Sequence, residues 1–231
     1  MSQMNEFINR EALDQQLATH VAEILSKAIA LRGKASIAVS GGSTPKGFFK
    51  ALSQIDLPWK KVTITLADER WVDINDEASN TKLVHDNLLQ NNAKQANFFH
   101  LKQGKVLGAE TLADLNLAAK ALLLPLDVLI LGMGEDGHTA SLFPCSDEIT
   151  AGLSLDNTDA LMKVVPRTAP HQRITFTFSH LIQSHHIFLH VVGEGKQRVL
   201  AQANARNDLL EMPIRAFLQN PDVNTQVYWA A

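Results

Sequence analysis

Short β-prone apolar runs alternate with longer helical patterns along this chain, and three of the early apolar runs end in a polar turn. Residues 35–39 run into SGGSTP, residues 62–67 into DER, and residues 126–131 into GMGEDGH. Alternation of buried strands with helices is typical of a parallel sheet covered by helices. The sequence therefore predicts an α/β fold with a doubly wound, mostly parallel sheet flanked by helices. Its ligand site is expected beyond the carboxyl ends of the strands.

The same patterns place the remaining elements. Leu13, Leu17 and Val21 follow helical spacing, and Gly33 is a stop signal for that helix. Helices are predicted at residues 11–31, around Phe48 to Leu52, and at 80–89, 109–123 and 196–203; further strands are predicted at 161–165, 174–178, 186–192 and 225–229. No repeat or long linker divides the 231 residues, so residues 1–231 are expected to form a single domain.

Composition argues against several classes of function. The chain has 21 Lys and Arg against 24 Asp and Glu, a net charge of −3, which gives no basic field for nucleic acid. No apolar run reaches the roughly 18 residues of a membrane span, and the first ten residues lack a signal-peptide core. Cys145, the one cysteine, has no partner for a disulfide or a thiolate metal site. We therefore expect a cytoplasmic protein with no nucleic-acid or membrane partner and no metal.

The first polar turn combines features of an anion site. Gly41 and Gly42 allow a sharp turn, and Thr44 is predicted to cap a helix that starts at Pro45. Exposed N–H groups at such a terminus bind phosphate. A plain capped turn explains this motif equally well, and the absence of Gly-Lys-Ser/Thr argues against nucleotide triphosphate hydrolysis.

The second turn, Asp68-Glu69-Arg70, places two carboxylates and a guanidinium directly after a strand. Taken alone, it is more simply interpreted as a solvated loop or a local ion pair. Arg70 has two candidate partners, a substrate phosphate and Asp68.

The third turn matches G-x-G-x-x-G, but it does not fit a dinucleotide site. Glu135 and Asp136 would face the pyrophosphate, and Pro144 limits a following helix. Instead, the turn holds His138 beside Asp136, an arrangement typical of a general base oriented by a carboxylate. A surface-loop histidine is the competing interpretation.

Other candidates carry weaker signals. His186 and His190 lie roughly 13 Å apart on a strand, too far for one metal ion, so they are interpreted as structural with His180 and His185. Arg173 and Lys196 stand at segment boundaries as ordinary cations do, and Ser141 is interpreted as a helix-start residue.

Four motifs together resemble the 6-phosphogluconolactonase family, and the resemblance extends from the first predicted helix through Arg173 and Lys196. They are residues 40–45 (SGGSTP), 67–72 (ADERWV), 79–80 (SN) and 132–144 (GMGEDGHTASLFP). The resemblance implies hydrolysis of 6-phospho-D-glucono-1,5-lactone to 6-phosphogluconate in the oxidative pentose phosphate pathway, without metal or organic cofactor. It also implies a Rossmann-like fold similar to those of glucosamine-6-phosphate deaminase and ribose-5-phosphate isomerase.

The resemblance also implies roles for individual residues. His138 would activate the attacking water, and Asp136 would orient His138. The substrate and its phosphate would be bound by residues from several turns: Gly41, Gly42, Ser43, Thr44, Asp68, Arg70, Arg173 and Lys196. Cys145 and Asp73 stand where the family commonly has Gly and Pro, which bears on loop geometry and removes no chemical group.

Two alternatives remain at this point. An amino-sugar-phosphate deaminase shares the turns, but that family follows its histidine with Asn-Glu-Pro, whereas this chain has Leu142-Phe143-Pro144. A non-catalytic sugar-phosphate sensor would retain the fold without turnover. The expected partner is a small sugar-phosphate lactone, and the expected state is a monomer or a weak homodimer.

Overall fold

The computed structural model describes residues 2–231, which form ten strands in two sheets. The strands are β1 (Gln3–Phe7), β2 (Ala35–Val39), β3 (Val62–Leu66), β4 (Asp68–Arg70), β5 (Asn97–Phe98), β6 (Val128–Leu131), β7 (Leu161–Val164), β8 (Arg173–Phe176), β9 (His186–Val192) and β10 (Thr225–Ala230). The larger sheet has seven strands in the order β1-β10-β9-β6-β2-β3-β5, and all of its pairs are parallel. The predicted mostly parallel α/β fold is confirmed.

Eight α-helices accompany the strands within residues 2–231. They are α1 (Arg10–Arg32), α2 (Lys46–Gln54), α3 (Asn80–Asn87), α4 (Ala109–Leu122), α5 (Ile149–Leu153), α6 (Phe178–Leu181), α7 (Glu194–Ala205) and α8 (Arg215–Leu218). As predicted, α1 ends at Gly33, which adopts φ 77° and donates its N–H to the Ile29 carbonyl. No helix within residues 2–231 is long and apolar enough to cross a membrane.

The strand order of the large sheet reverses between β2 and β6. From β2 the chain extends through β3 to β5 at one edge, then returns to β6 and continues outward through β9 and β10. Every residue of β2 and β6 is buried, as expected for central parallel strands. Ligands of open α/β sheets bind at such a reversal, beyond the carboxyl ends of the strands.

The second sheet is a small antiparallel one, in the order β4-β8-β7, which the sequence patterns did not predict. The charged run Asp68 to Arg70, interpreted as a turn, is a strand that pairs with β8. Its register sets Asp68 opposite Thr175 and Arg70 opposite Arg173. Residues directly opposite in a ladder project on the same side, so the two arginines are side by side.

One predicted cap and one predicted helix start are wrong. α2 begins at Lys46 with Pro45 at its N-cap position and no side-chain cap, so Thr44 does not close the helix terminus. Ser141 does not begin a helix; it is buried in the turn after His138. The N-cap position of α2 is held by Pro45, whose side chain has no oxygen to cap with. Ser141 is buried because its hydroxyl binds Asp68.

Candidate active site

A cavity of about 290 Å³ opens at the reversal point of the large sheet. Loops that follow β2, β6 and β9 surround it, and the small sheet closes one side. Among the predicted site residues, those that line the cavity are Gly41, Gly42, Ser43, Thr44, Asp68, Arg70, His138, Arg173 and Lys196. Asp136 lies against His138 and does not itself line the cavity. The structure therefore brings the separate sequence motifs to one place.

The glycine turn after β2 is held from two sides. A Cβ on Gly41 would lie 1.9 Å from Asn80 Oδ1, so the backbone passes α3 at a distance only glycine allows. Arg10 donates from its guanidinium to the carbonyl oxygens of Ser43 and Thr44, at 3.0 and 2.8 Å. Because these oxygens are paired with a cation, they repel a bound anion less strongly.

Each side chain of β4 has a separate role, and the interpretation of this run as a solvated loop is wrong. Glu69 is fully buried and accepts bonds from the N–H groups of Asn80 and Thr81, at 2.8 and 2.7 Å, at the start of α3. A carboxylate is favourable at a helix N-terminus. Asp68 accepts a bond from the Ser141 hydroxyl at 2.5 Å, which ties β4 to the loop that carries His138.

Arg70 and Arg173 retain unused hydrogen-bond donors beside the cavity. Arg70 Nη1 donates to the Ala78 carbonyl at 2.6 Å, but its Nε has no partner within residues 2–231, nor do Nε and Nη1 of Arg173. Burial, together with the charge of Arg70, lowers the pKa of Arg173. No ion pair joins Arg70 to Asp68 in the described chain, so that candidate pairing is not found. A buried arginine and a half-buried one that both have free donors are the arrangement that anion sites use.

His138 and Asp136 form a dyad at the cavity wall. His138 Nδ1 lies 2.5 Å from Asp136 Oδ1, and the same oxygen accepts the His138 backbone N–H at 3.1 Å. Burial alone would raise the pKa of Asp136, but the hydrogen bond and charge of His138 lower it below its ordinary value. The Phe143 ring packs on the imidazole, with centroids 4.3 Å apart. With Nδ1 engaged, Nε2 is the ring nitrogen left for chemistry.

Glycines shape the loop that carries this dyad. The Gly134 N–H donates to the His138 carbonyl at 2.8 Å, and Gly137 adopts φ 75°. The Gly137 carbonyl accepts the N–H of Ile214 at 2.9 Å, and Met212 packs against Gly137. The loop is therefore braced by a segment far along the chain.

Lys196 lies in the first turn of α7 and pairs with Glu135 at 2.8 Å. The hydrogen bond from Lys196 and its charge lower the pKa of Glu135. No group of three or more His, Cys, Asp or Glu within residues 2–231 is arranged to hold a metal ion.

The two positions where the chain departs from the family pattern lie outside the cavity. Cys145 Sγ is 3.2 Å from Thr168 Oγ1, and Asp73 Oδ1 accepts the Asn75 N–H at 2.9 Å. Asp73 thus organises its turn through a side-chain bond that proline could not make.

The sequence patterns did not reveal one cavity residue, His190. It is buried, as a structural histidine would be, but it also lines the cavity and faces Asp14 of α1. The signal that could have found it was a polar residue in each of two apolar patterns: Asp14 within the buried stripe of α1, and His190 within β9.

Comparison with known proteins agrees with the geometry. The family model described as glucosamine-6-phosphate isomerases/6-phosphogluconolactonase matches residues 8–229. A 6-phosphogluconolactonase from Rhizobium meliloti is 45% identical over 227 residues, covering 98% of each chain. One from Neisseria meningitidis is 41% identical over 228 residues, covering 98% of each.

Solved structures show the same relationship. A 6-phosphogluconolactonase from Shewanella baltica matches with a TM-score of 0.93 and 45% identity, covering all of this chain and 98% of the other. A monomeric glucosamine-6-phosphate deaminase, 18% identical, matches with a TM-score of 0.80 over 99% of this chain and 97% of its own, which shows a shared fold. This chain therefore belongs to the glucosamine-6-phosphate isomerase/6-phosphogluconolactonase family.

Proposed function

We propose that this chain is a 6-phosphogluconolactonase, which hydrolyses 6-phospho-D-glucono-1,5-lactone to 6-phospho-D-gluconate in the oxidative pentose phosphate pathway. The observation that carries the proposal is the His138–Asp136 dyad, at 2.5 Å, on the wall of a cavity that is also lined by Arg70 and Arg173, both with free donors. Relatives of that name at 45% and 41% identity over nearly the whole chain support the choice of substrate.

In the proposed mechanism His138 is the general base. Asp136 holds Nδ1, so Nε2 takes a proton from water as the water oxygen bonds to the lactone carbonyl carbon. The tetrahedral intermediate then collapses, the bond from that carbon to the ring oxygen breaks, and the proton returns to the ring oxygen. A lactone is an activated ester, so one base, an oriented water and oxyanion stabilisation meet the chemical demand. No metal or organic cofactor takes part in the proposed reaction.

Positive charge around the cavity binds the anionic substrate in this proposal. The free donors of Arg70 and Arg173 satisfy substrate oxygens, while the turn from Gly41 to Thr44 and the ammonium of Lys196 complete the set. Asp68 supports the site through Ser141. A substrate without phosphate leaves these groups unpaired, so the site favours the phosphorylated lactone.

The residues after His138 distinguish the proposed reaction from that of an amino-sugar-phosphate deaminase. Phe143 packs on the imidazole there, and this stretch supplies no additional carboxylate. We therefore expect no ammonia release from glucosamine 6-phosphate. A sensor without turnover would bind 6-phosphogluconate and leave the lactone unchanged.

We further propose that the protein acts in the cytoplasm as a monomer or a weak homodimer, on a small molecule and without nucleic-acid or membrane partners. A net charge of −3 supports the exclusion of nucleic acid. Sedimentation analysis across a hundredfold range of protein concentration tests the oligomeric state.

The deciding experiment follows acid release from freshly prepared 6-phosphogluconolactone in weak buffer, with the spontaneous rate subtracted. Wild-type protein accelerates the reaction, and His138→Ala lowers kcat by about 10²- to 10⁴-fold because the base is removed. Asp136→Asn, which keeps the shape but favours the wrong tautomer, lowers kcat in the same direction. His85→Ala, on the exposed side of α3, serves as the control and retains wild-type turnover. Full turnover by a folded His138→Ala protein would remove His138 from the mechanism.

A further inference from the structure

A carboxylate and an imidazole meet in the core beside the cavity. His190 Nε2, on β9, lies 3.2 Å from Asp14 Oδ1, on α1, and the two side chains are only 2% and 8% exposed. The Phe48 ring of α2 meets the imidazole edge-on, with centroids 6.0 Å apart. Neither residue takes part in the mechanism described above.

Both nitrogens of the His190 imidazole are unsatisfied. Nε2 lies 3.2 Å from the Asp14 carboxylate without the alignment of a hydrogen bond, and neither Nε2 nor Nδ1 has a hydrogen-bond partner within residues 2–231. A buried polar atom without a partner is costly, and in a native protein it calls for an explanation, of which binding a ligand is one. Because His190 lines the cavity, a ligand there is a candidate partner for Nδ1.

The pair lies beneath the glycine turn. Asp14 Oδ2 is so close to Gly47, in the first turn of α2, that a Cβ there would lie 1.9 Å away. Arg10, one turn earlier on α1, lies 3.7 Å from Asp14 and donates to the carbonyls of Ser43 and Thr44. His190 thus contacts Asp14, which in turn lies beside Arg10, and both of these charged residues belong to the helix that supports the turn.

We propose that His190 is a further substrate-binding residue, oriented by Asp14, whose Nδ1–H binds a phosphate oxygen of the sugar phosphate. In the bound state the imidazolium donates Nε2–H to Asp14 and Nδ1–H to the phosphate. The charge of Asp14 then balances that of the imidazolium within the core. This inference rests on the proposed function for the identity of the ligand, but the geometry concerns phosphate binding itself.

Three variants separate binding from packing. The His190→Asn amide occupies the position of Nδ1, the His190→Gln amide reaches that of Nε2, and His190→Leu keeps neither. The probe is inorganic phosphate, measured by its protection against thermal unfolding and by its inhibition constant in lactone hydrolysis. His190→Gln and His190→Leu weaken phosphate binding about tenfold or more, and His190→Asn stays within about threefold of wild type. In His190→Gln and His190→Leu, KM rises by a similar factor and kcat changes less than threefold.

His186→Leu is the matched control, because His186 lies on the same strand and face of β9 but does not line the cavity. It leaves phosphate binding unchanged. If His190→Gln binds phosphate as the wild type does while His190→Asn does not, His190 serves only as the partner of Asp14 and the proposal is overturned. Unchanged phosphate binding in all folded variants also overturns it. If the wild type fails to hydrolyse the lactone but the ranking of variants holds, the proposed function fails and the His190 site stands.

Discussion

Arg70 and Arg173 face each other across an antiparallel ladder, where like charges destabilise a folded protein. Arg173 is 4% exposed and has two nitrogens without partners within residues 2–231. Hydrophobic packing would stabilise this position better than an unpaired buried cation. The arrangement is explained if an anionic substrate neutralises the two positive charges. The fold then loses some stability, and the site gains affinity for the substrate.

Arg173→Met, which keeps a long side chain but removes the charge, tests this exchange. We expect KM for the phosphorylated lactone to rise about 10- to 100-fold, because charge-assisted bonds to the substrate are lost. KM for unphosphorylated gluconolactone should change little, and the melting temperature should stay the same or rise.

Kinetics on both lactones and a thermal melt provide the measurement, with Arg198→Met on the exposed face of α7 as control. An equal loss on both substrates, together with a lower melting temperature, would show that Arg173 serves the fold and not phosphate recognition.

Among the elements, the loop between β6 and the buried Ser141 depends on contact distances that only glycine permits. A Cβ on Gly134 would lie 2.1 Å from His138 Nδ1 and 2.6 Å from Asp136 Oδ1. Gly134 is not among the glycines with a positive φ, the range that favours glycine over other residues. The loop therefore needs glycine there for the space it leaves and not for backbone freedom.

Gly134→Ala should disrupt the dyad without unfolding the chain. We expect kcat to fall by about 10²-fold or more, because the methyl group displaces the imidazole from Asp136. Gly108→Ala is the control, since a Cβ there meets nothing within 4 Å and φ is −95°. Turnover is measured beside a denaturation curve for each variant. Wild-type kcat in Gly134→Ala would mean that His138 works without its contact to Asp136.

Across the whole molecule, several histidines favour the neutral form because they are buried. Burial lowers the pKa of His100, His180 and His186, and nearby His85, Lys120 and His20, respectively, lower it further. In the unfolded chain these side chains return to an ordinary pKa near 6.5. Below that value the unfolded state binds more protons than the folded state, which makes stability depend on pH.

The free energy of unfolding should therefore be highest above about pH 6.5, where the contribution of the neutral histidines is complete, and decrease as the pH falls toward 5. The lowered pKa of Asp136 adds a loss at still lower pH, where that carboxylate becomes protonated. Urea denaturation at pH 7.5, 6.5, 5.5 and 5.0 measures the trend, and His186→Gln should make it shallower. Constant or increasing stability toward pH 5 would contradict the burial of neutral histidines.

The local patterns were sufficient to predict the parallel sheet and much of the cavity. The strands 35–39 and 186–192 were placed with the bounds that the structure has, and their carboxyl-end turns meet because parallel strands end at one edge. Strand β4 was missed because its residues are charged and its partner, β8, is distant in sequence. The Asp14–His190 contact was missed because α1 and β9 are distant in sequence, so the polar residue in each apolar pattern did not indicate its partner.

The pairing of β1 with β10 also determines when the large sheet can be completed during synthesis of the chain. Met4 pairs with Val227, and the neighbouring bond from Asn5 to Val227 spans 222 residues. At the ribosome's pace of about 5 to 20 residues per second, β1 is made roughly 10 to 45 s before its partner strand. Until β10 is made, β1 remains an unpaired edge open to other chains, and so does the outer side of β9 from the time of its own synthesis. Completion of the sheet thus waits for β10, and a chaperone that covers β9 until then would protect the nascent protein from aggregation.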